Sequence, residues 1–282
     1  MKKILVILLL ISSISIFAQD VPDSLLKNGW NMSGVVGLNI SQTAFSNWAQ
    51  GGSNSLAYSA YTNLGGIYFN FPWKWKNRLS LAYGRTYLQD VGYRTTDNDL
   101  YFESIGSRNI GWAVDPYFAV TVRSAITKGY DYTVVPDTQI VDFFDPGYVT
   151  EALGFTYDKN KIITSRLGIA LQQTFANRFT KYTDDPATTD KIEKFKLETG
   201  LESVTEVKYE FLPKMTYYSF LRLFTRFDNL DVWDVRWDNV ITAKINDYIN
   251  VNLSVTVLHE ISQTRRTQFR EALQLGFAYT LF

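Results

Sequence analysis

The sequence predicts an all-β chain, an antiparallel transmembrane β-barrel of about 12 strands with short periplasmic turns and longer extracellular loops. Three observations predict it. Over 195–211, FKLETGLESVTEVKYEF, apolar or small neutral residues alternate with charged ones. The same two-residue period returns along the whole chain, and the connections between the periodic stretches alternate between short and long.

The chain opens MKKILVILLLISSISIFAQD. Two lysines, an apolar run to Phe17 and Ala18 before a cut form the pattern of a secretory signal peptide over 1–18. The run is broken by serines and short for a membrane helix, and there is no cysteine to carry a lipid anchor. A periplasmic segment over 19–29 is expected to precede a barrel over 30–282. With 28 basic and 28 acidic residues the formal charge is zero, which gives no reason to expect nucleic acid as a partner. The absence of cysteine excludes a disulfide scaffold, and the single histidine, His259, excludes a His-rich zinc site.

In 195–211 one face carries Phe195, Leu197, Leu201, Val207, Tyr209 and Phe211, and the other Lys196, Glu198, Glu202, Glu206, Lys208 and Glu210. Leu197, Leu201, Val204 and Phe211 also recur at helical spacing. Thr, Val and Tyr favour strands, however, Gly200 sits inside, and a helix would drift out of strict alternation. Taken in order, the other expected strands follow the same rule. They are 30–40, 56–64, 79–87, a poorer one at 100–110, 118–126, 149–157, 163–175, then 215–227, 233–245, 249–257 and 269–281. Short connections are expected at 72–76, 158–161, 212–214 and 246–248, and longer ones at 46–53, 127–147 and 178–191.

Alternation alone does not distinguish a barrel in lipid from a soluble sandwich. Length does: a run like 195–211 reaches roughly 56 Å at about 3.3 Å per residue, whereas sandwich strands average about 5–6 residues. Aromatics crowd the short turns, as in Phe71, Trp73 and Trp75 or Tyr209, Tyr217 and Tyr218, as rings do at a membrane boundary. No charge falls on the apolar face of 195–211. The C-terminus, QLGFAYTLF, resembles the terminal recognition signal of outer-membrane barrels in Gln274, Gly276, Tyr279 and Leu281, with Phe282 one residue beyond. The odd residues of 195–211 therefore face lipid and the even ones the lumen, and both termini lie on the side of the short turns. Arg85 breaks the pattern on the apolar parity, which places it at the rim or beside a bulge.

Residues 45–55, FSNWAQGGSNS, resemble the signature of an uncharacterised outer-membrane family of Bacteroidota, a domain of unknown function, with similarity from 30 to about 130. The resemblance implies a barrel and no established activity. Within the motif, Gly51 and Gly52 suit a tight loop and Trp48 a rim anchor; a binding role for Trp48 and Asn54 is the alternative.

The lumen is where chemistry would gather. With lumen residues paired to lumen residues, Val204 is expected opposite Arg222, Glu202 and Glu206 diagonal to it, Arg226 opposite Asp234, Arg222 opposite Asp238, and Glu260 opposite Arg270. Arg123 and Arg166 stand on other lumen walls. Such charges either fill a narrow lumen and set register or line a polar conduit. The expected function is a narrow porin-like channel for small polar solutes or ions; the alternative is a non-conducting scaffold or accessory subunit of an outer-membrane complex. The 127–147 connection, with Tyr130, Tyr132, Phe143 and Phe144, is expected either to fold inward as a constriction or to dock a partner. Expected partners are membrane lipid, the barrel-assembly machinery and other outer-membrane proteins. An enzyme is not expected: His259, Ser262 and Glu260 lie on one strand end where alternation sets His259 and Ser262 on opposite faces. Asp228, Asp231, Asp234, Asp97 and Asp99 match no defined calcium loop, and no cofactor pattern is present.

Overall fold

A computed structural model of the chain describes residues 26–44, 53–185, 187–261 and 266–282. Its strands are β1 (Gly29–Thr43), β2 (Ser55–Asn70), β3 (Trp73–Leu88), β4 (Gly92–Arg108), β5 (Asp115–Ser124), β6 (Gly129–Asp131), β7 (Thr138–Val141), β8 (Gly147–Tyr157), β9 (Ile163–Phe175), β10 (Phe195–Leu212), β11 (Met215–Arg226), β12 (Asn229–Lys244), β13 (Ile249–His259) and β14 (Gln268–Thr280). Twelve close into an antiparallel barrel in the order β1-β14-β13-β12-β11-β10-β9-β8-β5-β4-β3-β2, and β6 and β7 form a separate hairpin. All twelve barrel strands coincide with stretches expected from periodicity. The small hairpin was not anticipated.

The faces are inverted relative to a soluble protein. Outward Leu153, Leu167, Ile169 and Leu273 are 67%, 59%, 58% and 62% exposed, while Glu103 and Glu202, facing the lumen, are 1% and 2% exposed. Alternation forces this, because consecutive side chains leave opposite faces of a strand. Aromatics ring the short-turn end, among them Trp30, Phe71, Trp73, Trp75, Trp112 and Tyr248, all exposed. Polar exceptions on the outer face are mostly paired: Gln173 donates to Glu151 at 3.2 Å, Tyr217 to Asn239 at 2.7 Å and Trp237 to Ser219 at 3.0 Å. Arg85 sits beside a register irregularity between Gly84 and Arg85, close to the end of β3, with its guanidinium 4.8 Å from the Tyr93 ring centre. Bulge and rim thus both account for it.

Two expectations about connections are corrected. Residues 73–76 are strand, not turn, because WKWK itself alternates: Trp73 and Trp75 pair with Asn70 and Tyr68, and the hairpin closes at Phe71–Pro72. The 127–147 connection does not fold inward. Tyr132 accepts the Thr95 amide at 2.8 Å and lies under the Arg94 guanidinium, Asn98 takes the Ile126 and Thr127 amides, and Phe144 packs at 6.0 Å from Phe175. Asn98, Phe175 and Phe195 are on outward parity and Arg94, which also meets Asp137, is on lumen parity, so the segment rises along the outside of the wall and reaches its rim. Its partner is the 176–194 connection, whose Asn177 and Arg178 amides donate to buried Asp145 at 2.8 and 2.9 Å. There Tyr182 is buried, and burial pushes its phenol up to about 12, so it is neutral at physiological pH.

The barrel closes where β1 meets β14, over six pairs from Val35–Thr280 to Ile40–Leu275. Tyr279 stacks on Tyr248 at 6.4 Å, and the Leu281 amide reaches the Gly34 carbonyl at 2.8 Å. Gln274 and Gly276 face the lumen, Gly276 against Asn250, Asn252 and Asn39. Phe282 packs over Gly34, so the extra terminal residue belongs to the closing seam.

A lumen this narrow needs glycine where a large ring crosses it. Gly154 and Gly168 face each other on β8 and β9, and a Cβ on Gly168 would lie 2.7 Å from the Tyr117 hydroxyl. A Cβ on Gly154 would meet the Leu167 carbonyl oxygen at 2.1 Å, which is backbone and does not move aside. Gly154→Ala is expected to destabilise the folded barrel by about 1–3 kcal/mol, the usual range for overpacking. Urea unfolding in detergent, followed by tryptophan fluorescence, checks it.

Candidate functional site

A chain of ion pairs crosses the lumen. At its centre Glu103 on β4 accepts from Arg78 of β3 at 3.0 Å and from Arg166 of β9 at 2.5 Å. Arg78 also reaches Glu206 on β10 at 2.9 Å. In the strand order β3 and β10 stand almost opposite each other, so this pair crosses the lumen from wall to wall. Tyr101 donates to Glu103 at 2.7 Å and Tyr218 to Glu206 at 2.8 Å. Phe220 packs edge-on against Tyr101 at 6.2 Å, with the Arg78 guanidinium between at 5.2 and 5.8 Å from their centres. These groups form a septum across the lumen, nearer its short-turn end. Each charge is stabilised only because its counter-charge enters the same small volume, since a buried unpaired ion is far more costly.

A second group runs up the β9–β12 wall. Arg222 bonds Glu202 at 2.7 Å and Gln172 at 3.0 Å; Gln172 passes to Glu198 at 3.3 Å; Arg226 bonds Glu198 at 2.5 Å and Asp234 at 2.7 Å. Val204 lies opposite Arg222 as expected. The β11–β12 register is shifted by two residues from the expected one: Arg222 faces Arg236 and Phe224 faces Asp234. The cause is a two-residue closure at Phe227–Asp228 with an irregularity between Thr225 and Arg226. Arg226 still reaches Asp234 diagonally, but Asp238 binds Arg236 at 2.7 Å and Thr256 at 2.8 Å rather than Arg222. Facing Arg222 and Arg236 would repel, and each is offset by a carboxylate of its own. Glu206, expected beside Arg222, belongs to the septum.

The Glu260–Arg270 pair is also corrected. Thr256 lies opposite Arg270, and β13 ends at His259, so Glu260 falls past the ladder. Arg270 crosses instead to Asp97 at 3.0 Å and the Thr96 carbonyl at 3.2 Å. Glu260 is buried at the outer end. Arg123 lies 5.1 Å from the Tyr148 ring centre, and its Nε and Nη2 atoms have no hydrogen-bond partner among the described residues. His259 meets Thr267 at 3.2 Å, while Ser262 lies outside the described residues. Asp228 and Asp231 stay in or beside the β11–β12 turn, apart from the ion pair that takes Asp234. Trp48, Gly51 and Gly52 also lie outside the described residues. Asn54 donates to Gln89 at 2.7 Å and ties the β1–β2 connection to the β3–β4 turn.

Arg78, Glu103, Glu198, Gln172 and Arg236 are the participants the sequence reading missed. All sit on lumen parity, Glu198 within the stretch that opened the argument, so parity could have marked them as candidates but not as partners. Two cavities flank the septum. The outer one, about 790 Å³ including its opening, is lined by Arg78, Tyr101 and Phe220 together with Asp97, Asp99 and Arg270. The inner one, about 430 Å³ including its opening, is lined by Arg166 and Glu206 with Lys74, Lys76 and Asp158 toward the short turns.

Residues 40–130 match a family described as a protein of unknown function, DUF3078. No curated protein matches. Among solved structures, the translocator domain of the autotransporter NalP from Neisseria meningitidis is similar at 8% identity, with 91% of this chain and 90% of that one covered and a TM-score of 0.39. The COG4313 outer membrane channel from Pseudomonas putida F1 is similar at 11% identity, with 90% and 96% covered and a TM-score of 0.42.

Glu103→Gln leaves two buried arginines short of a counter-charge and is expected to destabilise the barrel by about 3–5 kcal/mol. Asp97→Asn acts on Arg270, whose side chain is 41% exposed, and is expected to cost under about 1 kcal/mol. The two denaturation midpoints, measured side by side in one detergent, check the ranking.

Proposed function

We propose that the chain is an integral outer-membrane protein, exported behind a cleaved signal peptide, whose barrel is a narrow porin-like conduit for small polar solutes or ions held closed by the septum. The observation that carries this reading is the meeting of two cavities at one salt bridge: Arg78 lines the outer cavity and Glu206 the inner. A lumen filled only for stability would have no such pair of vestibules. Opening needs one side-chain contact to part, and the partners remaining to each group, Glu103 for Arg78 and Tyr218 for Glu206, supply a place for it to rest. Membrane placement is supported by the exposed aliphatic band and by strand length: β10, Phe195–Leu212, has 18 residues, whereas crossing takes about 9–11.

A second reading, a non-conducting scaffold, is favoured by charge balance. Arg78 and Arg166 are matched by Glu103 and Glu206, so the septum offers a passing ion no net field. Exposed aromatics on the outer connection, such as Phe143 at 61%, would then serve a partner.

Planar-bilayer conductance of the folded barrel separates the two. Wild type is expected to be closed with rare small steps, and the Arg78→Ala, Glu206→Ala double variant to show sustained ones. Arg222→Ala, on the wall away from the septum, should move ion preference without raising open time. Silence from the double variant, when heat-modifiable gel mobility shows it folded, makes the scaffold the function.

A further inference from the structure

We propose that the outer cavity is a binding site for a small organic cation, an alkylammonium with its charge beside Asp99 and its apolar part against the aromatic wall. The charge balance of the cavity comes first. Arg78 is engaged by Glu206 and Glu103, Arg236 by Asp238, and Arg270 by Asp97. Asp99 lines the same cavity, is exposed to it, and makes no hydrogen bond or ion pair among the described residues. The lining carries three carboxylates and three guanidinium groups, but Arg78 is held by Glu103 and Glu206 outside it, which leaves Asp99 as the lining carboxylate with no direct partner, its charge acting on Arg236 only at longer range.

Its walls are the second observation. Tyr101 and Phe220 stand edge to face, and Tyr218 and Tyr61 complete an aromatic lining. Ring faces attract cations, and more strongly where water is scarce. Third, Tyr61 is 6% exposed and its hydroxyl has no partner, and the Ser80 hydroxyl is likewise buried and unpartnered. Both line the cavity. An ammonium carries several donors and no acceptor, so it can satisfy a carboxylate and neutral hydroxyl oxygens together. An anion would meet the Asp99 carboxylate, and each arginine of the lining already holds a carboxylate of its own. The inference needs only an outer cavity open to solvent, not conduction through the septum, so a barrel that never conducts leaves it standing.

The experiment is isothermal titration of the folded barrel in detergent with n-butylammonium chloride, and in parallel with sodium butanoate. Wild type is expected to bind butylammonium saturably and butanoate at least tenfold more weakly. Asp99→Asn is expected to weaken butylammonium binding at least tenfold while keeping wild-type gel mobility, since Asp99 makes no hydrogen bond or ion pair among the described residues and Arg236 keeps Asp238. Asp97→Asn provides a second folded comparison, whose effect should be smaller because Asp97 already holds Arg270. No saturable binding by wild type, equal binding of the two probes, or an Asp99→Asn variant that binds as wild type does would each overturn the proposal.

Discussion

Glu103 between Arg78 and Arg166 is the interaction on which the rest of the lumen depends. Twelve strands leave a core too narrow for each charge to keep its own water, so Arg78, Arg166, Arg222, Arg226 and Arg236 each pair with a carboxylate inside it, while Arg123 rests on the Tyr148 ring. Glu103 serves two of them, and Arg78 carries the connection across to Glu206. The septum ties the β3–β4 wall to the β9–β10 wall. It acts as a cross-brace that no hydrogen-bonded ladder could supply, since ladders join only neighbours.

Around that brace the packing follows from space. Large rings enter the lumen where facing strands carry glycine, as Tyr117 does over Gly168, and Tyr61 lies where a Cβ on Gly37 would be. Outside, the requirements reverse: aliphatic residues are exposed, and the polar side chains found there are mostly tied to a neighbour, as in Glu151 with Gln173. The two long connections lean on each other, with Asp145 gathering amides from the 176–194 segment, whose Tyr182 comes near Glu260 at the outer end. The mouth is therefore shaped by backbone hydrogen bonds to a buried carboxylate. The septum side chains lie deeper in the lumen than these connections.

How far the sequence was legible depends on the range of the interaction. Strand identity, facing and the β10–β11 register were readable because alternation and a tight turn are local: Val204 opposite Arg222 follows from the short connection between those strands. The β11–β12 register was not, because a bulge at Thr225/Arg226 absorbs residues without leaving a mark in composition. Glu260 was misplaced for a similar reason, since β13 ends one residue before it. The WKWK stretch shows a different failure: aromatics that signal a membrane boundary were read as a turn, although their alternation is that of a strand.

The sequence by itself determined the fold class, the strand count and which residues look inward, because a period of two fixes the face of every side chain once one face is assigned. Only the tertiary structure decided which inward charges meet. Arg78 and Glu206 are 128 residues apart, on strands that approach only when the sheet closes on itself. Closure brings opposite walls within reach of a guanidinium, and nothing in the local pattern of either strand encodes that partner.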